Sequence, residues 1–276
     1  MKSVNLFIYS LFLLLVLSGC SKVQLDGVLS VAETDELLQL SDTSNMTSEL
    51  QVQYKLHRIT EIFQHRNDSR GLFPLIYEQT TNQAILSLQN EPEKYENIQK
   101  AKDITIAFAK RYLFNLHDHL INKEPEYHWK QYYKLCFSNE PKMRIASAGL
   151  NSHLTVDLAR AVYDVNGDTT FKNDYLQFGE ALVKASPFII SELKTQYNVE
   201  SAYLFNGLFI GDILDPIFGE DFTTQLAFQF IRQEAFQHAQ NLLKPNLYNN
   251  AQTTLFQNWQ FREGLLDVLV EAKLIK

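Results

Sequence analysis

Residues 104–120 read Ile104-Thr105-Ile106-Ala107-Phe108-Ala109-Lys110-Arg111-Tyr112-Leu113-Phe114-Asn115-Leu116-His117-Asp118-His119-Leu120, and this stretch sets the class of the fold. Ile106, Ala109, Leu113, Leu116 and Leu120 recur at alternating steps of three and four, which is one face of an α-helix. Pro92 occupies a natural first-turn position, so the pattern predicts one long helix over Glu93–Leu120. The same periodicity predicts helices before it over Glu49–His65 and Leu72–Gln89. After it come Tyr127–Phe137, Ile145–Tyr163, Phe171–Lys184, Pro187–Gln196, Ala202–Leu214, Asp221–Leu243 and Gln252–Lys273. No strictly alternating run reads as a strand. Ten glycines and seven prolines in 276 residues leave few breakers, which agrees with long elements. The expected architecture is all-α, a single multi-helix globular bundle over residues 48–276.

The helix over Ile145–Tyr163 is the candidate for chemistry. Gly149, His153, Asp157, Arg160 and Asp164 fall within an arc of roughly 80° on a helical wheel. Leu150, Leu154, Val156, Leu158, Ala159 and Val162 make the rest apolar, so this helix belongs in the centre of the bundle. His153 and Asp157 are four apart and therefore neighbours on one face. Such a pair holds a divalent metal, or forms a carboxylate-oriented imidazole for acid–base work. A structural His–Asp contact is the plainer alternative. Asp164-Val165-Asn166-Gly167-Asp168 has the first oxygens of a calcium loop but lacks its later glycine and carboxylate, and reads as an interhelical turn. Arg232, set between apolar residues, reads as a surface or snorkelling side chain; buried, it would need a carboxylate partner.

The chain carries 25 basic against 32 acidic residues, a formal charge of −7. That balance excludes a nucleic-acid footprint and a polybasic membrane patch. There is no G-x-S-x-G, H-E-x-x-H, phosphate-binding glycine loop or dinucleotide fingerprint, so the common hydrolase, protease and kinase readings lose their support. Of two cysteines, Cys136 lies among aromatic and apolar residues and reads as an inert buried thiol.

The other cysteine, Cys20, closes an apolar run that begins at Leu6 and follows Lys2. The run is short for a bilayer span. Leu17-Ser18-Gly19-Cys20 resembles the lipobox of bacterial lipoproteins. The resemblance implies a signal peptide over residues 1–19, cleavage before Cys20 and acylation of that residue. A flexible tether over 20–47 would then link lipid to domain. The protein would sit in the cell envelope, held to the membrane by lipid. Ser21 in place of Asp after the cysteine favours the outer membrane, facing the periplasm, in a Gram-negative cell.

Several segments between about Arg70 and Leu243 resemble an uncharacterised bacterial family known only as a domain of unknown function. Arg70-Gly71-Leu72-Phe73 with Leu75-Ile76-Tyr77 and Thr80 is similar to its G-x-F-x-x-L-Y-x-x-x-T opening. Ala107–Leu113 is similar to F-A-x-R-Y-L, and Trp129 stands at a family tryptophan. Gly149-Leu150-Asn151-Ser152-His153-Leu154-Thr155-Val156-Asp157-Leu158 is similar to its most specific motif, G-x-N-A-H-I/L-x-x-D-L. Asp168–Leu176 and Arg232–Phe236 complete the match, with Phe236 in place of a tryptophan. The resemblance implies a helical domain and carries no activity. It implies that Asn151, His153, Asp157, Asn173 and Arg232 form one polar cluster. The expected function is metal-assisted or His-mediated hydrolysis of a small or lipid-like substrate, with His153 and Asp157 as catalytic groups or metal ligands. The alternative is a non-enzymatic envelope protein binding an apolar ligand or a protein partner.

Overall fold

The computed structural model describes residues 27–200 and 222–276, and among them the fold is all-α with no strand. The signal segment 1–19 with Cys20, and the helix expected over Ala202–Leu214, lie outside the described residues. No helix among the described residues is long and apolar enough to cross a membrane.

Helix α1 (Val31–Ser41) stands where a flexible tether is expected. The cause is local. Ser30 Oγ accepts from the Glu33 N–H at 3.2 Å, and the Glu33 carboxylate accepts from the Ser30 N–H at 2.7 Å, a reciprocal cap. Leu37 and Leu40 are then buried. Two apolar residues three apart are too short a stripe to register as a period. At the other end Lys55 Nζ donates to the carbonyls of Leu40 and Asp42, both at 2.8 Å, and so covers the open helix terminus. Among the described residues, packed helical structure therefore extends back to Val31, ahead of residue 48.

Helix α2 (Glu49–His65) opens with the same reciprocal cap, from Ser48 and Gln51. Helix α3 (Leu72–Asn90) follows a 3-10 turn capped by Asp68. Helix α4 (Ile98–Leu120) starts later than Pro92 suggests. Pro92–Lys94 makes one 3-10 turn, and the chain then extends through the buried Tyr95. Asp174 accepts there from the N–H groups of Glu96 and Asn97 at 2.8 and 2.7 Å, and Asn97 caps the new helix. Helix α5 (Tyr127–Cys136) is short and aromatic.

Helix α6 (Lys142–Asn151), a π-helical turn (Ser152–Asp157) and helix α7 (Leu158–Asp164) form one continuous rod. From Met143 to Val162 every residue except Asn151 is buried. This is the central element that its apolar wheel predicts. After the turn, in which Asp164 pairs with Arg111 and Asp168 caps Thr170, comes α8 (Lys172–Tyr197). The sequence predicts two helices here, but α8 runs unbroken through Pro187. An internal proline costs about 3 kcal/mol. Fully burying Ala185, Ile189 and Leu193 on this helix, which packs along α3, offsets that. Helices α9 (Phe222–Leu242) and α10 (Tyr248–Glu271) complete the described fold. The central rod touches α3, α4, α5, α9 and α10.

Candidate functional site

The π-turn holds the site. The Leu158 N–H donates to the His153 carbonyl, a step of five residues rather than four. Single π-turns inside α-helices are uncommon and concentrate at functional sites. The wider turn also brings residues four apart closer to a common direction. His153 Nδ1 lies 3.0 Å from Asp157 Oδ2, and both side chains are buried.

Asp157 receives two more groups, both from α5. Trp129 Nε1–H donates to Oδ2 at 2.9 Å, and His128 Nε2 lies 3.1 Å from Oδ1. An ionised carboxylate only accepts, so each imidazole carries a proton on the nitrogen that faces it. Burial would raise the carboxyl, but the hydrogen bonds from His128 and His153 outweigh it and hold Asp157 well below the usual carboxylate range. The remaining imidazole nitrogens, His128 Nδ1 and His153 Nε2, are buried without a hydrogen-bond partner among the described residues.

His153 is fixed on all sides. Its ring stacks on Phe108 at 3.5 Å and 12°, and meets Tyr77, Phe73 and Trp129 edge-on at 4.4, 5.1 and 6.0 Å. Burial depresses its pKa below the ordinary 6.5, and Asp157 only partly restores it, so the ring is neutral at neutral pH. His153 lines a cavity of about 70 Å³ together with Tyr77, Thr81, Thr105, Phe178 and Arg232. A neutral imidazole on a cavity-lining residue, oriented through Nδ1 by a carboxylate and with an Nε2 that no described residue engages, is equipped to take a proton.

The predicted cluster comes together only in part. Arg232 lines the same cavity as His153, and it is buried, not a surface or snorkelling side chain. It does not pair with Asp157. Its guanidinium donates to the Tyr175 carbonyl and lies over the Tyr175 ring, 4.3 Å from the centroid. Asn151 faces α10 instead, donating to the Trp259 carbonyl at 3.1 Å and to Glu263 at 2.8 Å. Asn173 is exposed and reaches Glu96 at 3.5 Å. Arg160 bonds Glu126 and Gln252, away from the cavity. Cys136 is half-buried rather than fully buried; it lies against the Tyr132 hydroxyl, and desolvation by its aromatic surroundings pushes its thiol up.

The metal-ligating atoms that converge are not the predicted pair alone. Glu126, His128 and Asp157 bring one donor atom each within 4.8 Å of one another. Glu126 Oε2 lies 3.7 Å from His128 Nε2 with no hydrogen bond among the described residues, while its Oε1 accepts from Arg160 at 2.9 Å. A cation on His128 Nε2 would move the ring proton to Nδ1, where it has no acceptor among the described residues. At the other oxygen, Oδ2, the third group is the Trp129 N–H, which donates and cannot ligate. The site as arranged is thus a hydrogen-bonded His–Asp–His centre buttressed by a tryptophan.

His128 and Trp129 are the contributors that the His153–Asp157 spacing does not reveal. Trp129 carries a signal only through the family resemblance. No curated protein and no solved structure matches the chain. The residues that build the centre and its cavity, from α3 through α9, all fall within residues 50–262, the span matched by the family model described as a family of unknown function (DUF5995), and the chain belongs to that family.

Proposed function

We propose that this is a lipid-anchored envelope protein that hydrolyses a small substrate in the His153 cavity. The observation that carries the catalytic part is His153 lining the cavity with Nδ1 held by Asp157 and with a buried Nε2 that has no hydrogen-bond partner among the described residues. In this reading Nε2 accepts a proton from water as the water oxygen attacks an acyl carbon. The carbon–oxygen bond to the leaving group breaks, and the imidazolium returns the proton to the departing alkoxide. Asp157 holds the tautomer and stabilises the transient imidazolium, the role a carboxylate has in hydrolytic triads.

The test is turnover of p-nitrophenyl esters from acetyl to octanoyl. Gln at 153 can keep a bond to Asp157 but has no basic nitrogen. His153→Gln is expected to lose about 10²-fold in kcat with the helical circular dichroism unchanged. Wild-type protein that cleaves none of the esters, or a His153→Gln variant of equal rate, overturns the reading.

Glu126 Oε2, beside His128 and Asp157 and without a hydrogen bond among the described residues, favours a second, metal-assisted reading. Chelation separates the two. Activity that survives it belongs to His153 alone, and activity that is lost and returns with Zn²⁺ assigns the reaction to Glu126, His128 and Asp157.

The anchor rests on Leu17-Ser18-Gly19-Cys20. Intact-mass analysis of the protein purified from membranes is expected to show an N-terminus at Cys20 carrying acyl chains. An unprocessed Met1, or a free Cys20 thiol, refutes it.

A further inference from the structure

Four arginines are buried among the described residues, and three have carboxylate partners. Arg70 pairs with Asp68, Arg144 with Glu263 and Asp267, and Arg160 with Glu126. The fourth is Arg232, at 4 % exposure. Among the described residues no carboxylate reaches it. One terminal nitrogen donates to the Tyr175 carbonyl, and Nε is buried with no hydrogen-bond partner among the described residues. The Tyr175 ring beneath supplies only a cation–π contact.

A buried charge is retained where something compensates it. A neutral carbonyl and a ring face are weak compensation for a guanidinium, whose planar fork matches a carboxylate through two parallel hydrogen bonds. Arg232 also lines the His153 cavity, so a counter-charge that no described residue supplies has a place to sit.

The rest of the lining limits what that anion is. Phe73, Ile76, Leu154, Leu158 and Phe178 make the wall mostly apolar. A single cation balances a single negative charge. The volume of about 70 Å³ is below the roughly 150 Å³ of an apolar cavity that accepts benzene. We propose that the cavity binds a small organic monocarboxylate, or the carboxylate end of a substrate, with the anion on Arg232 and a short apolar chain against Phe73, Leu154 and Phe178. The inference rests on this cavity being the site proposed above, and it adds the substrate class.

The experiment is titration of the full-length protein in detergent with butyrate, its uncharged analogue butyramide, and inorganic phosphate, followed by NMR or calorimetry. Butyrate cannot be hydrolysed, so binding is read without catalysis. Butyrate is expected to bind at least tenfold more tightly than either other probe. Arg232→Gln is expected to lose at least tenfold for butyrate, the effect of a lost charge-assisted pair. Arg232→Lys, which keeps the charge without the fork, is expected to recover part of that loss and shows that the site has folded. No butyrate binding, equal binding to Arg232→Gln, or phosphate binding as tightly as butyrate overturns the inference. His153-dependent cleavage of neutral esters without butyrate binding would leave the catalytic reading standing and remove only this one. Butyrate binding through Arg232 in a protein that cleaves no ester would do the reverse.

Discussion

Asp157→Asn is expected to lower the unfolding free energy by about 3–5 kcal/mol, the range for breaking a buried charge network by removing one partner. The wild-type carboxylate accepts from Trp129, His153 and His128, at 2.9, 3.0 and 3.1 Å. Asparagine offers one oxygen and an NH₂. The oxygen is best placed at the Oδ2 position, where two donors converge. The NH₂ then faces His128 Nε2, which must give up its proton to Nδ1. That nitrogen is buried with no acceptor among the described residues. Asp157→Ala leaves all three donors unmet and is expected to cost more than the asparagine variant. The pH dependence follows from the sign of the shift. Asp157 is held below its ordinary 3.8, so its contribution is complete above about pH 4 and is lost as the pH falls below that. The gap between wild type and Asp157→Asn is therefore expected to narrow on acidification. Urea denaturation with an unchanged slope checks both points. A loss under 1 kcal/mol at neutral pH would mean that the network is not formed.

The sequence carried the class of the fold because the helices have long, regular apolar periods, and the stripe ending at Leu120 lies in α4. It carried the His153–Asp157 contact because spacing of four on a helix is a local property. It did not carry the partners. His128 and Trp129 lie on α5, some thirty residues away, and only packing brings them to the carboxylate. The polar arc misled in its detail. Its members serve different contacts: Arg160 reaches Glu126 and Gln252, Asp164 reaches Arg111, and Gly149 faces an aromatic ring. A π-turn adds a residue to one turn and shifts the wheel beyond it, which a wheel drawn with the ideal α-helical step cannot show. Helix α1 was hidden for a different reason. Its stability comes from the Ser30–Glu33 cap and two buried leucines, which a search for sustained periodicity passes over. Asn173 and Asp174 show the limit of a motif: adjacent in sequence, one is exposed and the other is a buried acceptor that fixes the start of α4.

Gly149→Ala sets two effects of opposite sign against each other. In a helix interior alanine is favoured over glycine by about 1 kcal/mol, so local propensity alone predicts a more stable protein. Packing predicts the reverse. A Cβ at position 149 would lie 2.6 Å from Phe73 Cβ and 2.9 Å from its Cγ. Those atoms are at the root of the side chain, so a rotamer change cannot clear them. Phe73 itself cannot withdraw easily. Its N–H donates to the Tyr132 hydroxyl at 3.3 Å, that hydroxyl donates to the Arg70 carbonyl at 2.9 Å, and its ring is packed against Tyr112 and Trp129. The backbone of α3 must move away from the central rod, and overpacking of this kind costs about 1–3 kcal/mol. Because the contact is with backbone-proximal atoms on both sides, the expected net loss is about 2 kcal/mol, at the upper part of that range once propensity is subtracted. The loss is expected to reach the site as well, since the Phe73 ring is one wall of the His153 cage, 5.1 Å away, and lines the cavity. A lowered urea midpoint accompanied by weaker butyrate binding fits a rigid wall between α3 and the π-turn. A midpoint that is unchanged or raised would show that α3 yields at little cost, and that His153 is not held by packing in the way its aromatic neighbours imply.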